Sequence, residues 1–282
     1  MSTSPIPAAA GVGLRSAHAA EFITGRPAAA WLEVHSENYF AGRGAAHEAL
    51  LAIRSDYPLS LHGVGLSLGS TDPLDRAHLR KLGAAIRRYE PGLVSEHLSW
   101  SSIGGVHVND LLPLPLTVEA LEHVRHRIDA VQAYLGRQIL IENVSSYIQY
   151  AAPQIPEYEF MNELVRATGC GVLLDINNLF VNEHNHGYSA RRHIDETLCE
   201  SVAEIHLAGH SVQTYGGHAL LVDTHDARVR PEVWDLYEYA VTRFGTVPTL
   251  IEWDSRLPPL ADLLGEAKLA DVVLERRNAL AA

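Results

Sequence analysis

Eight short runs rich in Val, Ile and Leu, each followed by a longer amphipathic stretch, constrain this 282-residue chain more than any other feature. The runs fall at 11–15 (GVGLR), 31–37 (WLEVHSE), 59–63 (LSLHG), 93–98 (LVSEHL), 138–143 (QILIEN), 171–176 (GVLLDI), 203–208 (AEIHLA) and 248–253 (PTLIEW). Helical patterns lie between them, near 16–25, 45–55, 73–90, 117–135, 157–168, 189–201, 231–244 and 259–280. Start signals support several of these helices: Asp72 before Pro73, Thr117 with Glu119, and Pro231-Glu232. Strands apolar on both faces that alternate with helices predict a parallel sheet covered on both sides. Eight such units match a (β/α)8 TIM barrel, which takes about 250 residues, better than an open doubly wound sheet, and no GxGxxG follows the first strand. One domain over 11–282 is expected, with residues 1–10 (MSTSPIPAAA) as a flexible tail. The stretches 99–116, 177–188 and 209–230 read as long polar loops after strands, which a barrel gathers on its C-terminal face.

Composition narrows the function. Lys+Arg number 22 against 34 Asp+Glu, a formal charge of −12, with no basic cluster, so a nucleic-acid-coating surface is not expected. No apolar run is long enough to span a membrane, and no secretory signal pattern opens the chain. Cys170 and Cys199 form no CxxC and no disulfide framework, which fits a reducing cytoplasm. Neither is placed as a nucleophile. What stands out is sixteen histidines in a chain whose only lysines are Lys81 and Lys268.

Six of the apolar runs end in a metal-ligating side chain: His62, His97, Glu142, Asp175, His206 and Glu252. Packing gives no reason for this, because an ionised carboxylate at a barrel core is costly unless paired or metal-bound. Parallel strands would collect all six around one axis, where three carboxylates need cations and three imidazoles supply borderline ligands. More than one metal ion is expected. Two local pairs extend the set: Asp175 with Asn178, and Asp223 with His225 in VDTHD, whose alternation turns Asp226 away. His184 and His186 share the same spacing but suit a polar lid equally well. Oxygen and imidazole donors without thiolate suit iron, manganese or zinc alike. His210, His218, Glu37 and Asn38 are candidates for proton handling or for local hydrogen bonding, and Trp100 and Tyr147 for lining a groove or packing.

The ordered motifs HGVGLSLG (62–69), SEHLSW (95–100), IENVSSY (141–147), LLDINNLFVN (173–182), EIHLAGH (204–210), DTHD (223–226) and IEWD (251–254) resemble the DUF692 family. That family, also called UPF0276, comprises the multinuclear non-heme iron-dependent oxidases, which include the methanobactin biosynthesis oxidase. The resemblance runs from about residue 11 to 270. It also reaches the wider xylose isomerase-like barrel superfamily, notably the trinuclear zinc endonuclease IV. Where that endonuclease has a His three residues after its Asp, this chain has Asn178, which matches the oxidases instead.

The resemblance implies three metal positions. One takes Glu142, Asp175, His206 and Glu252; the second takes His62 and His97 with Glu142 bridging; the third takes Asn178, Asp223 and His225. Glu142, Asp175 and His206 are then the catalytic candidates, with His210 beside them for proton handling. It further implies two or three iron ions, a mixed-valent Fe(II)/Fe(III) pair, with O2 as co-substrate. The reaction implied is oxidation at a cysteine of a ribosomally made precursor peptide, giving a heterocycle, a thioamide-type product or carbon excision. A small leader-recognising partner protein encoded nearby is also implied. The competing readings are an endonuclease IV-like zinc phosphodiesterase, disfavoured by the −12 charge, and a two-metal sugar isomerase. The latter usually places a lysine at a strand end, and neither lysine lies in a strand run. A metal-buffering or peptide-binding protein would spread its ligands through flexible tracts rather than end core strands with them.

Overall fold

A computed structural model describes residues 5–151 and 155–281. In chain order its strands are β1 (Ala10–Gly13), β2 (Leu32–His35), β3 (Leu59–Gly63), β4 (Leu93–His97), β5 (Ser99–Ile103), β6 (Val106–Pro113), β7 (Leu140–Glu142), β8 (Gly171–Asp175), β9 (Val202–Leu207), β10 (Ser211–Tyr215), β11 (His218–Val222) and β12 (Thr249–Ile251). Its helices are α1 (Ala19–Gly25), α2 (Ala45–Arg54), α3 (Arg76–Tyr89), α4 (Val118–Leu135), α5 (Glu157–Thr168), α6 (Ile176–His186), α7 (Ala190–Glu196), α8 (Pro231–Phe244) and α9 (Leu260–Ala281). Eight strands close a parallel barrel in the order β1-β12-β9-β8-β7-β4-β3-β2, the (β/α)8 arrangement expected. Among the described residues no helix is long and apolar enough to cross a membrane.

The outward faces of the barrel strands carry the core. Leu61, Val94, Ile141, Leu174, Ile205 and Ile251 are at most 1% exposed and pack with helix residues such as Leu82, Ile128, Leu164 and Leu263. Each such side chain contributes about 1.5–3 kcal/mol by leaving water. Gly11 is required at the first strand, since a Cβ there would lie 2.5 Å from the buried Trp31 ring. The Trp31 indole N–H donates to the Ala9 carbonyl at 2.8 Å.

Several sequence expectations need correction. Buried Ala10 already belongs to β1, one residue before the expected start, and residues 1–4 of the expected tail lie outside the described residues. Helix α3 starts at Arg76, capped by Asp75, whose carboxylate accepts from the Ala77 and His78 amides. Asp72 instead accepts from Gly104 N (2.8 Å) and Gly105 N (3.0 Å), so it holds the turn of a β5–β6 hairpin. The expected loop 99–116 is largely that hairpin, and 209–230 contains the antiparallel β10–β11 hairpin. The stretch 177–188 is mostly helix: the Asp175 carboxylate caps α6 by accepting from Asn178 N at 2.6 Å. The pattern at 189–201 divides into α7 and a short 3-10 turn, Cys199–Ser201.

Candidate metal centre

Alternation along the strands turns every second side chain toward the barrel axis. At the C-terminal ends this aims His62 (β3), His97 (β4), Glu142 (β7), Asp175 (β8), His206 (β9) and Glu252 (just past β12) into one space, each at most 8% exposed. Strand register levels them: His97 pairs with Glu142, and Asp175 with His206.

Two of the rings are locked from behind. His97 Nδ1 donates to the Gly63 carbonyl at 2.9 Å, and His62 Nδ1 contacts Ser95 Oγ at 2.7 Å. Both Nε2 atoms therefore face inward, the arrangement that metal-ligating imidazoles adopt. His62 Nε2 and His97 Nε2 are 3.3 Å apart, and Glu142 Oε2 lies 3.3 Å from the first and 3.0 Å from the second. Despite those distances Glu142 Oε2 makes no hydrogen bond. Three donors converging at this spacing match ligands about 2 Å from a common cation. The other oxygen, Glu142 Oε1, lies 3.8 Å from His206 Nδ1. One carboxylate thus faces two ligand groups.

The second group centres on His206. Its Nδ1 lies 3.2 Å from Glu252 Oε2, and Glu142, Asp175 and His206 bring ligand atoms within 4.8 Å of one another. Asp175 Oδ2 and Asn178 Oδ1 are buried without partners. The third group holds Asp223 and His225. His225 Nε2 lies 2.7 Å from Asp223 Oδ1, and its Nδ1 lies 3.5 Å from both Glu252 Oε2 and Asp254 Oδ2. The Asp223 carboxylate accepts from Asn177 (Nδ2 to Oδ1, 2.6 Å), and Asn178 Nδ2 donates to the Asn143 carbonyl at 3.0 Å.

Electrostatics agree with a site built for cations. Burial, with Asp175 and Glu252 adding negative charge, pushes Glu142 well above the usual carboxylate range. Burial and Asp223 raise Asp175 to about 7. Burial opposes a charged His206, yet Glu33 and Glu252 hold it well above an ordinary imidazole. Burial lowers His97 to about 4. Orphaned buried oxygens beside unpaired imidazole nitrogens are the donor set that divalent iron, manganese or zinc would satisfy.

The remaining candidates disperse. His210 is buried, with Nδ1 2.7 Å from Asn177 Oδ1, and reaches Asp223 only through that amide. Tyr147 Oη accepts from Asp223 N at 3.0 Å, placing it at the rim of the site. Trp100 Nε1 donates to the Pro113 carbonyl (3.1 Å), inside the β5–β6 hairpin. His186 Nε2 bonds the Ser146 carbonyl (2.7 Å), His218 is exposed on β11, and Glu37 joins a different cluster, with His78 and Glu96.

Sequence reasoning missed five ionisable neighbours. Glu33 Oε1 and Glu204 Oε1 lie 3.4 and 3.5 Å from His206 Nε2, and Glu33, His206 and Glu252 bring ligand atoms within 4.8 Å of one another. Arg15 pairs with Asp254, at Nε (2.9 Å) and at Nη2, and lies 3.7 Å from Glu252. His35 Nε2 lies 3.8 Å from Asp254 Oδ2. The signal for four of these was the two-residue period: Glu33 and His35, Glu204 and His206, Glu252 and Asp254 share faces.

A family model described as "RiPP precursor modification enzyme MbnB/TglH/ChrH" matches residues 9–275. A UPF0276 protein of Anaeromyxobacter sp. (strain Fw109-5) is 47% identical over 260 residues, covering 92% of this chain and 90% of its own length. One from Bordetella pertussis is 46% identical over 278 residues, covering 98% and 96%. Among solved structures, endonuclease IV from Thermus thermophilus superposes with a TM-score of 0.61 at 16% identity, over 95% of this chain and 99% of that one. D-psicose 3-epimerase from Clostridium cellulolyticum H10 gives 0.62 at 11% identity, over 96% and 98%. These two likenesses show the barrel fold alone. The family match and the UPF0276 relatives together place the assignment beyond the fold: the chain belongs to the MbnB/TglH/ChrH (DUF692, UPF0276) family of RiPP precursor modification enzymes.

Proposed function

We propose that this protein is a multinuclear non-heme iron oxidase that uses O2 to modify cysteine residues of a ribosomally synthesised precursor peptide. It holds two or three iron ions through His62, His97, Glu142, Asp175, Asn178, His206, Asp223, His225 and Glu252. The observation that carries this reading is Glu142, whose two oxygens face two separate ligand groups, within a chain of this family. Bound iron would supply a Lewis acid for the substrate thiolate and would pass the electrons lost by the oxidised cysteine to O2.

The protein's own groups hold and orient. Asn143 ties the ends of β7 and β8 reciprocally: its Nδ2 donates to the Asp175 carbonyl (3.0 Å) and its Oδ1 accepts from Asp175 N (2.9 Å). Glu142 and Asp175 are thereby held at one level. Asn177 has its orientation set by Asp223, which only accepts, so its Oδ1 faces His210 and the His210 proton sits on Nδ1. Burial lowers the pKa of the His210 ring, which keeps it neutral and, beside Asn177, suits it to proton handling rather than to holding an ion. A small leader-binding protein delivers the peptide. The setting is cytoplasmic, no nucleic acid is involved, and residues 11–282 act as one unit.

The test is incubation with the Cys-bearing peptide encoded beside this protein, its partner, Fe(II) and O2. A change in peptide mass and a mixed-valent EPR signal are expected. An unchanged peptide mass with stoichiometric iron bound would overturn the reading, as would colourless zinc-loaded protein that cleaves abasic DNA.

A further inference from the structure

His97 faces the barrel axis, so its neighbour Glu96 faces the opposite way, into the layer between β4 and the surrounding helices. There it meets Glu37, from the 3-10 turn Ser36–Tyr39 after β2, and His78, from the first turn of α3. The three bring ligand atoms within 4.8 Å of one another, with His78 Nε2 3.4 Å from Glu37 Oε1. Glu96 is 2% exposed, and its Oε1 has no hydrogen-bond partner. His78 Nε2 is likewise buried and unpartnered. An unsatisfied carboxylate oxygen beside an unsatisfied imidazole nitrogen is costly unless something binds both.

The surroundings hold the three groups in place. Glu37 accepts from Val64 N (3.0 Å), Gly65 N (2.9 Å) and Ser36 Oγ (3.1 Å). Both amides go to Oε1 and the hydroxyl to Oε2, so the acceptor position left for an ion is on Oε2. The Phe40 ring packs edge-on against His78 at 4.9 Å. Two glycines leave the room: a Cβ on Gly63 would run into Glu96 Oε1, and one on Gly65 would lie 3.2 Å from His78 Cε1 and 3.3 Å from Glu37 Oε1.

We propose that Glu37, His78 and Glu96 form a separate site for a divalent cation of the zinc or manganese type, outside the barrel and independent of the axial centre. One imidazole nitrogen and two carboxylate oxygens are a donor set for such ions, with water completing the shell. The ion ties the segment after β2, the start of α3 and β4 together. It also lies next to Gly63, whose carbonyl orients His97.

The test uses full-length protein stripped with a chelator, reloaded with Zn2+ alone, and analysed for zinc per chain. Glu96→Gln and His78→Asn should each bind about one ion fewer than wild type at unchanged far-UV circular dichroism. Glu142→Ala should lose axial zinc and keep this ion. Equal zinc in wild type and the two folded variants would overturn the site. Should a variant not fold, anomalous diffraction from zinc-loaded wild-type crystals decides. A peak among the three side chains is expected, and zinc on the barrel axis with none at this cluster refutes it.

Discussion

Glu142 is the residue on which most of the axial centre depends, because its carboxylate contacts both the His62–His97 pair and His206. Glu142→Ala is expected to abolish peptide oxidation and to remove more than one ion per chain, as read by metal analysis beside a peptide mass assay. A variant that keeps full metal content would argue against the bridging role. Proton competition gives a second expectation. Without metal, Asp175 titrates near 7 and Glu142 well above its ordinary value, while His206 and His225 hold protons above the usual imidazole range. Each group sheds its proton to bind an ion, so affinity falls as pH falls. Asp175 alone contributes about tenfold per pH unit below about 7. Competition titration of the stripped protein with a chromophoric chelator at pH 6 and pH 8 checks the sign: weaker binding at pH 6.

Helix and hairpin boundaries separate what local pattern determines from what it does not. The eight strand–helix units were legible because two-residue and 3.6-residue periods survive in each segment. Thr117 and Pro231 mark helix starts as read, with Thr117 Oγ1 accepting from Ala120 N at 3.2 Å. Helix α6 was illegible because its Asn residues look like loop composition. In the structure they satisfy strand-end backbone groups: Asn182 accepts from Ser146 N (2.8 Å) and donates to the Val144 carbonyl (2.9 Å). The two neighbouring aspartates, Asp72 and Asp75, differ in partner rather than in type. Asp75→Ala should cost about 1 kcal/mol through loss of the α3 cap, read as a lower denaturant midpoint. Asp72→Ala should leave α3 intact and speed proteolytic cleavage at Gly104–Gly105, whose amides it holds.

Across the whole molecule, the formal charge of −12 includes carboxylates that never see water: Glu33, Glu142, Asp175, Glu204 and Glu252 are each at most 3% exposed. Concentrating them on one axis is destabilising without cations. Metal loading should therefore raise the melting temperature, and a free ion at 100 times its Kd stabilises by about 2.7 kcal/mol. Chelator-treated and reloaded protein compared by scanning calorimetry tests this, and identical melting temperatures would show that the axial charges need no ion.

The sequence by itself determined the period of each segment, hence eight strand–helix units with imidazoles and carboxylates at the strand ends, since backbone geometry makes side-chain direction a local property. Only the tertiary structure decided which of those groups meet. Glu33 on β2 reaches His206 on β9, Arg15 reaches Asp254, and Asn177 binds Asp223. Those pairings follow from barrel closure, strand register and the docking of α6 beside the β10–β11 hairpin, which relate residues far apart in the chain and leave no trace in any one segment.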